Sequence, residues 1–478
     1  MDFPGCGSCL LRDDPGGLVS RTVRTSDLGG RFLSIASGRC GGLPILLALV
    51  GLVAVGLTGC TGTEQTAGGA AMAPVVVVPG LGMSALNVQV RTDGGATDFD
   101  FLVPAMNPAD MLPEGATSAL EYSVASGLPR DQAEQVPTWM SLSIDKNGVA
   151  SNQPGVTVAP VSVGQDFAAE CPRYVPMANQ LAAVGWTVDA NLVCLPFDYR
   201  YAPGGNSFVS DFTSLVERAV SQADGQKAVV ACHSQGCLMA YHALRVLDPA
   251  WARANVAVLY GFAGQFSGCS DCLRWAFQNG WSWNVDDQGA SPVDPSWVGE
   301  LSLGLQSSVY GDAVLYRNGA QDYRATDARA LLQDAGAVAM SRATGVYALG
   351  RQEWFRRGSV DGEALPVPGR FVFGVDLPTT VGYAYESVAV RTVSCHEPQC
   401  AGFWNVPDPA VIKADGDGGD STWMNAAPEA WTSDASCDIR TLPGVDHMTI
   451  VTNTDAVEGL VSAARGAVEG SVPCSSEG

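Results

Sequence analysis

Nine residues constrain this chain more than any other stretch: Ala228-Val229-Val230-Ala231-Cys232-His233-Ser234-Gln235-Gly236. The apolar run at its start shows no polar alternation, as expected of a strand buried on both faces of a parallel sheet. It passes without a spacer into a helical pattern from Leu238 to Leu247. A turn that abrupt forces its apical residue, Ser234, into a strained backbone, so the residues two places to either side must be small. Gly236 meets that demand and Cys232 is a tolerable substitute. The helix that follows directs its first N–H groups back at the turn, which places the Gln235 N–H to stabilise a developing oxyanion. A serine in such a pentapeptide is common by chance. The strand-turn-helix setting is what makes Ser234 a candidate nucleophile.

Other segments repeat the pattern of short buried strands. Val75-Val76-Val77-Val78 is entered through Pro74 and closed by Pro79-Gly80, and Val256 to Gly261 and Arg370 to Val375 are similar runs bounded by Gly or Pro. Strands of this kind alternating with helices predict a mostly parallel, doubly wound α/β sheet. Between Phe262 and Gly369 the sequence becomes Gly-rich and weakly periodic, with Trp275, Trp281, Trp283, Trp297 and Trp354. We read residues 262–369 as a cap inserted over the sheet. Its tryptophans fit either an apolar lid over a lipid site or the cap's own core.

The chain ahead of this domain has a different character. Leu43 to Thr58 is free of charge and follows Arg31 and Arg39, the pattern of a targeting segment. At that length it is short of the roughly 20 residues a bilayer span needs, so a signal sequence fits better than a permanent helix. Leu57-Thr58-Gly59-Cys60 resembles a lipobox, in which Cys60 would be lipidated; a Cys that merely follows small residues fits as well. The expected organisation is therefore a leader over 1–60, a flexible Gly/Ala/Thr-rich linker over 61–72, and a folded domain over 73–470. Export, to the medium or to a membrane anchor, follows from the leader. In an exported protein, 14 cysteines suggest disulfides, with Cys269/Cys272 and Cys395/Cys400 as close pairs. Only His396 accompanies these pairs, which falls short of a zinc ligand set. We expect no metal and no cofactor. With 27 basic against 49 acidic residues, a net charge of -22, nucleic acid is not an expected partner.

A serine nucleophile needs a base, and the chain has four histidines: His233, His242, His396 and His447. His233 adjoins Ser234 but should point away from it, His242 lies two helical turns on, and His396 is fenced by cysteines. The order Ser, acid, His expected of this architecture selects His447, in the loop string Leu442-Pro443-Gly444-Val445-Asp446-His447. An acid belongs between the two, at a strand end. The cluster Asp415-Gly416-Asp417-Gly418-Gly419-Asp420 offers it, although such a run also suits a solvated turn or a calcium loop. The turn after the first strand, Pro79-Gly80-Leu81-Gly82, should supply a second oxyanion donor, best placed at the Leu81 N–H.

Taken in order, several strings resemble the lecithin:cholesterol acyltransferase family, which includes phospholipid:diacylglycerol acyltransferases and a lysosomal phospholipase A2. They are P-V-V-V-V-P-G-L-G from Pro74, W-M-S-L-S with S-N-Q-P-G-V between Trp139 and Val156, L-P-F-D-Y-R from Leu195, H-S-Q-G-C from His233, F-V-F-G-V-D-L-P-T-T from Phe371, G-D-S-T from Gly419 and L-P-G-V-D-H from Leu442. The likeness spans most of Ala73 to Thr452 and implies an α/β-hydrolase fold with an inserted cap. It further implies a Ser234, Asp420, His447 triad, since the family's acid lies in a G-D-x-T string, with Asp417 as the alternative. A lipid ester, typically a phospholipid, is the implied acyl donor, with an alcohol or water as acceptor and a lipid surface as the setting. Asp198 and Arg200 would lie near the pocket, where a structural salt bridge is the plainer reading. The chain departs from the family at Cys232, at Trp423 and in the cysteines of the early lid segment. A lipase, or a lipid-binding protein that keeps the fold without the reaction, are the rival readings.

Overall fold

The computed structural model describes residues 72–470 apart from 93–94, 103–119, 121–122, 125–126, 279–281, 287–288, 293–295, 348–364, 387–408 and 420–438. The leader with Cys60, residues 61–71 of the linker, Cys395, His396, Cys400, Trp281, Trp354, Asp420 and Trp423 lie outside the described residues. Among the described residues no helix is long and apolar enough to cross a membrane.

Six strands form the central sheet: β1 (Val75–Val78), β2 (Leu192–Cys194), β3 (Ala228–His233), β4 (Val256–Phe262), β5 (Gly369–Val375) and β6 (Ile439–Pro443). Their order across the sheet is β6-β5-β4-β3-β1-β2, and every neighbouring pair is parallel. This is the α/β-hydrolase fold. Four of the strands coincide with the apolar runs of the sequence. The two it did not reveal, β2 and β6, are the edges. A strand as short as Leu192-Val193-Cys194 has too few residues to show a period, and β6 is half exposed.

Alternation along β1 shows how the sheet is covered. Val76 and Val78 join a core with Phe208, Phe212, Leu238 and Phe371, whereas Val75 and Val77 join another with Met177, Leu181 and Leu460. On the first face lie α2 (Phe208–Gln222) and α3 (Gln235–Val246); on the second lie α1 (Val175–Ala183) and the last helix, α4 (Thr454–Val468). Because both faces are buried, the strands carry no polar alternation. A disulfide, Cys171–Cys194, ties the end of β2 to the segment leading into α1.

A third core belongs to the cap and gathers Phe277, Val298, Leu301, Tyr316 and Leu331. It also recruits Leu142 from an early antiparallel hairpin, Leu142–Ile144 with Ala150–Asn152, and Tyr383 and Tyr385 from a long antiparallel pair, Leu377–Tyr385 with Ala410–Gly416. That pair leaves the carboxyl end of β5 through Asp376, whose φ is 66°, and returns to the same end at Asp417. Trp297, fully buried against Tyr199, comes from the cap segment but joins the core on the first face of the sheet.

The described segments that carry the family resemblance meet in space. Arg200, with no exposure, makes a double ion pair to Asp198 (Nε–Oδ1 2.9 Å, Nη2–Oδ2 2.7 Å) and donates to the Met140 carbonyl (3.2 Å) and the Asn152 side chain (2.6 Å). Burial alone would disfavour the charged guanidinium, but attraction and hydrogen bonding from Asp198 raise its pKa above the ordinary value. The plainer expectation for this pair holds: it pins the early helix and hairpin that carry Met140 and Asn152 to the post-β2 segment.

Candidate active site

Every candidate side chain comes from a loop at the carboxyl end of a strand, where open parallel sheets place their ligand crevices. Ser234 follows β3 directly with φ 55° and ψ -129°, the strained apex expected of a strand that turns at once into a helix. Gly236 is required there, because a Cβ would collide with the carbonyl oxygens of Val78 and Pro79. Cys232 and Cys237, on either side of the turn, are joined by a disulfide. In the sequence Cys232 reads as a substitute for glycine, and nothing in the spacing announces its partner.

His447 reaches the serine from the loop after β6. Its Nε2 lies 3.0 Å from Ser234 Oγ, and its Nδ1 lies 2.9 Å from Oδ2 of Asp417. With Nδ1 protonated, the ring donates to the carboxylate and accepts from the hydroxyl, so Nε2 is the unprotonated nitrogen that faces the serine proton. The expectation that Asp420 stands at this position is therefore corrected to Asp417, the alternative in the same cluster. Asp417 is the first residue after the returning strand Ala410–Gly416, so the strand itself carries it to the sheet edge. Gly374 of β5 leaves room, since a Cβ there would meet Asp417 Cβ and the Val445 carbonyl. The Asp417 carboxylate is fully buried and accepts both His447 Nδ1–H and the Gly419 N–H (2.9 Å), while the His447 N–H donates to the Asp417 carbonyl (2.9 Å). Buried charge is tolerable when its lone pairs are filled in this way.

Leu81 sits at the second position of a turn closed by Met83 N–H donating to the Gly80 carbonyl (3.1 Å), with Gly82 at φ 72°. Both Leu81 and Ser234 line a cavity of about 300 Å³, and Gln235 begins α3 directly behind the serine. The cavity is at the small end of the usual range for ligand pockets. Its walls are largely apolar: Leu81, Met83, Trp275, Met448 and the Cys269–Cys272 disulfide. That disulfide is one of the two close pairs read from the sequence. Of the cap tryptophans, Trp275 lines this cavity and packs against the first core, and Trp297 is buried within that core. Among the described residues no cluster of His, Cys, Asp and Glu is arranged to hold a metal ion.

His233 turns away from Ser234 into the protein. Its Nδ1 is 2.8 Å from Tyr174 Oη and its Nε2 is 2.8 Å from the His447 carbonyl oxygen. Burial, with the neighbouring His447 second, pushes its pKa down to about 3, so the ring is neutral. Tyr174 had no signal in the sequence; it precedes α1, remote along the chain from every candidate residue.

Fold and site together define an α/β-hydrolase-type protein with serine, histidine and aspartate in one hydrogen-bonded line. Comparison with known proteins narrows the class. Residues 136–281 match the family model described as lecithin:cholesterol acyltransferase. The chain is 27% identical over 424 residues to lecithin-cholesterol acyltransferase-like 1 of Oryza sativa subsp. japonica, covering 84% of this chain and 89% of that protein. A protein of the same name from Arabidopsis thaliana is 28% identical over 92 residues, 18% of this chain and 21% of its own. Among solved structures, one from the Tle4–Tli4 complex aligns with TM-score 0.46 at 10% identity, covering 83% of this chain and 98% of that one. An α/β hydrolase fold protein from Nakamurella multipartita aligns with TM-score 0.27 at 13% identity over 65% of this chain and 96% of its own. The chain is thus similar over most of its length to a protein named as lecithin-cholesterol acyltransferase-like, and over residues 136–281 to that family's model.

Proposed function

We propose that this protein transfers acyl groups from lipid esters, typically phospholipids, through a covalent acyl-enzyme on Ser234, to an alcohol acceptor. The observation that carries the reading is the line Asp417–His447–Ser234, with separations of 2.9 and 3.0 Å, opening on an apolar cavity. In the first half-reaction His447 Nε2 takes the proton of Ser234 Oγ as the oxygen attacks the ester carbonyl. The tetrahedral oxyanion is held by the Leu81 and Gln235 N–H groups, each of a kind whose loss costs about 100-fold or more in rate. Collapse breaks the ester C–O bond, and His447 returns the proton to the departing lysolipid alcohol. In the second half the acceptor loses its proton to His447 as it attacks the acyl-enzyme, the acyl C–O bond to Ser234 breaks, and His447 returns the proton to Ser234 Oγ. Asp417 orients the imidazole and stabilises its charged form. Apolar walls of Leu81, Met83, Trp275 and Met448 favour a fatty acyl chain over a polar one.

Hydrolysis by the same intermediate is the second reading, favoured where water reaches the acyl-enzyme. Fluorophosphonate labelling of residues 73–478, native against Ser234→Ala, tests the common step. Labelling lost in the variant is the expected result; an unlabelled native protein would overturn the acyl-enzyme reading and favour a lipid-binding protein. Product analysis with a phospholipid donor, with and without a long-chain alcohol, then separates transfer from hydrolysis.

A further inference from the structure

The oxyanion loop and the base loop belong to distant parts of the chain, yet one continuous hydrogen-bonded path joins them beneath the serine. The Gly80 N–H, next to Leu81, donates to Tyr174 Oη at 2.8 Å. Tyr174 Oη lies 2.8 Å from His233 Nδ1, and His233 Nε2 lies 2.8 Å from the carbonyl oxygen of His447. Since the tyrosine oxygen accepts from Gly80, its own proton is free to go to Nδ1. The carbonyl of His447 can only accept, so the ring proton must sit on Nε2. One tautomer therefore satisfies all three contacts, and each donor in the path has one acceptor. Met83 Sδ also lies 3.2 Å from Tyr174 Oη, but a thioether is the weaker acceptor.

We infer that Tyr174 and His233 are positioning residues that fix the spacing between the oxyanion donor at Leu81 and the base His447; this rests on the acyl-transfer reading above. Neither touches the substrate cavity. Both are buried to 1% exposure, so neither serves as a surface contact. A second feature marks the path as built rather than incidental. Gly80 packs against the rings and side chains it serves, and a Cβ there would come within 2.9 Å of Ser234 Cβ and 3.2 Å of His233 Nδ1. The neutral state of His233 is what the path requires, because a doubly protonated ring has no acceptor for the tyrosine.

Such a link acts on geometry, so its loss should lower kcat rather than weaken binding. Displacements of about 1 Å at reacting groups can cost on the order of 100-fold. Tyr174→Phe keeps the ring and removes the hydroxyl. Hydrolysis of a soluble p-nitrophenyl ester, normalised to active sites counted by fluorophosphonate, should show kcat reduced roughly 10- to 100-fold with KM little changed. His233→Gln, which retains an acceptor and a donor, should recover part of the rate lost in His233→Leu. If Tyr174→Phe turns over at the native rate per labelled site, the inference is overturned, and any loss of melting temperature alone is then a packing effect. Should Tyr174→Phe fail to fold, the His233 pair decides: equal kcat in the Gln and Leu variants overturns the inference, and recovery by Gln supports it. A native protein that does not label would sink the acyl-transfer reading itself, an outcome distinct from labelled native protein with indifferent variants.

Discussion

Ser234 and Asp417 stand on either side of His447 and reach it in opposite ways. Ser234 is set by contiguous residues: a buried strand, an apex at positive φ, a glycine two residues on, and the helix that the turn begins. Asp417 arrives at the end of a long antiparallel excursion that departs from β5 at Asp376 and comes back to the gap left by Gly374. The first is a local conformational problem with few solutions. The second is a packing problem whose solution depends on which strands pair. This difference explains why neighbouring acidic residues in one Gly-rich cluster were hard to rank, whereas the serine stood out.

The sharpest way to break the comparison is to exchange the acids. Asp417→Asn should lower kcat for ester turnover by about 10^4-fold, since the amide stabilises the wrong imidazole tautomer. Asp420→Asn should leave the rate unchanged, and a reversed result would mean that the returning strand does not deliver the acid. Arg200→Met tests the other place where distant segments converge. It leaves Asp198 buried without its partner, so we expect about 3–5 kcal/mol of lost stability in urea denaturation, with the labelling rate of the folded fraction little altered. A large labelling defect at full stability would instead put the ion pair in the pocket.

The smallest effect concerns His233, which lies between the two arms and faces Tyr174 and His447. Its pKa is lowered in the fold, to about 3 from 6.5. Between those values the unfolded chain binds a proton that the folded chain does not, so stability rises with pH through this window and is lost as pH falls below about 6.5. The contribution is at most about 1.4 kcal/mol per pH unit. Chemical denaturation from pH 7 to pH 5 should show a shallower dependence in His233→Gln than in the native protein; parallel curves would refute the assignment.

Much of the framework was legible because buried parallel strands announce themselves by unbroken apolar composition, and β1, β3, β4 and β5 do so. The turn at Ser234 and the loop of His447 were legible for the same local reason. Edge strands β2 and β6 were not, being too short or too exposed to leave a period. The strand Ala410–Gly416 is largely exposed and mixes Val, Ile, Lys and Asp without clean alternation, so nothing in its end ranked Asp417 above the other acids of its cluster. A string match alone favoured Asp420. Cys232 illustrates the same limit: its place beside the turn was visible, but its bond to Cys237 was not.

By itself, then, the sequence determined a doubly wound α/β chain, a serine held at a strained strand-to-helix turn, and a late histidine to serve it. Each of those is encoded within a few residues, through φ/ψ limits and the burial of apolar runs. Tertiary structure alone decided which aspartate meets His447, that Arg200 pins two segments remote along the chain, and that Tyr174 and His233 join the two sides of the site. Those contacts exist only once strands far apart in the chain have paired, and their geometry is fixed by backbone approach at Gly80, Gly236 and Gly374 rather than by any local preference.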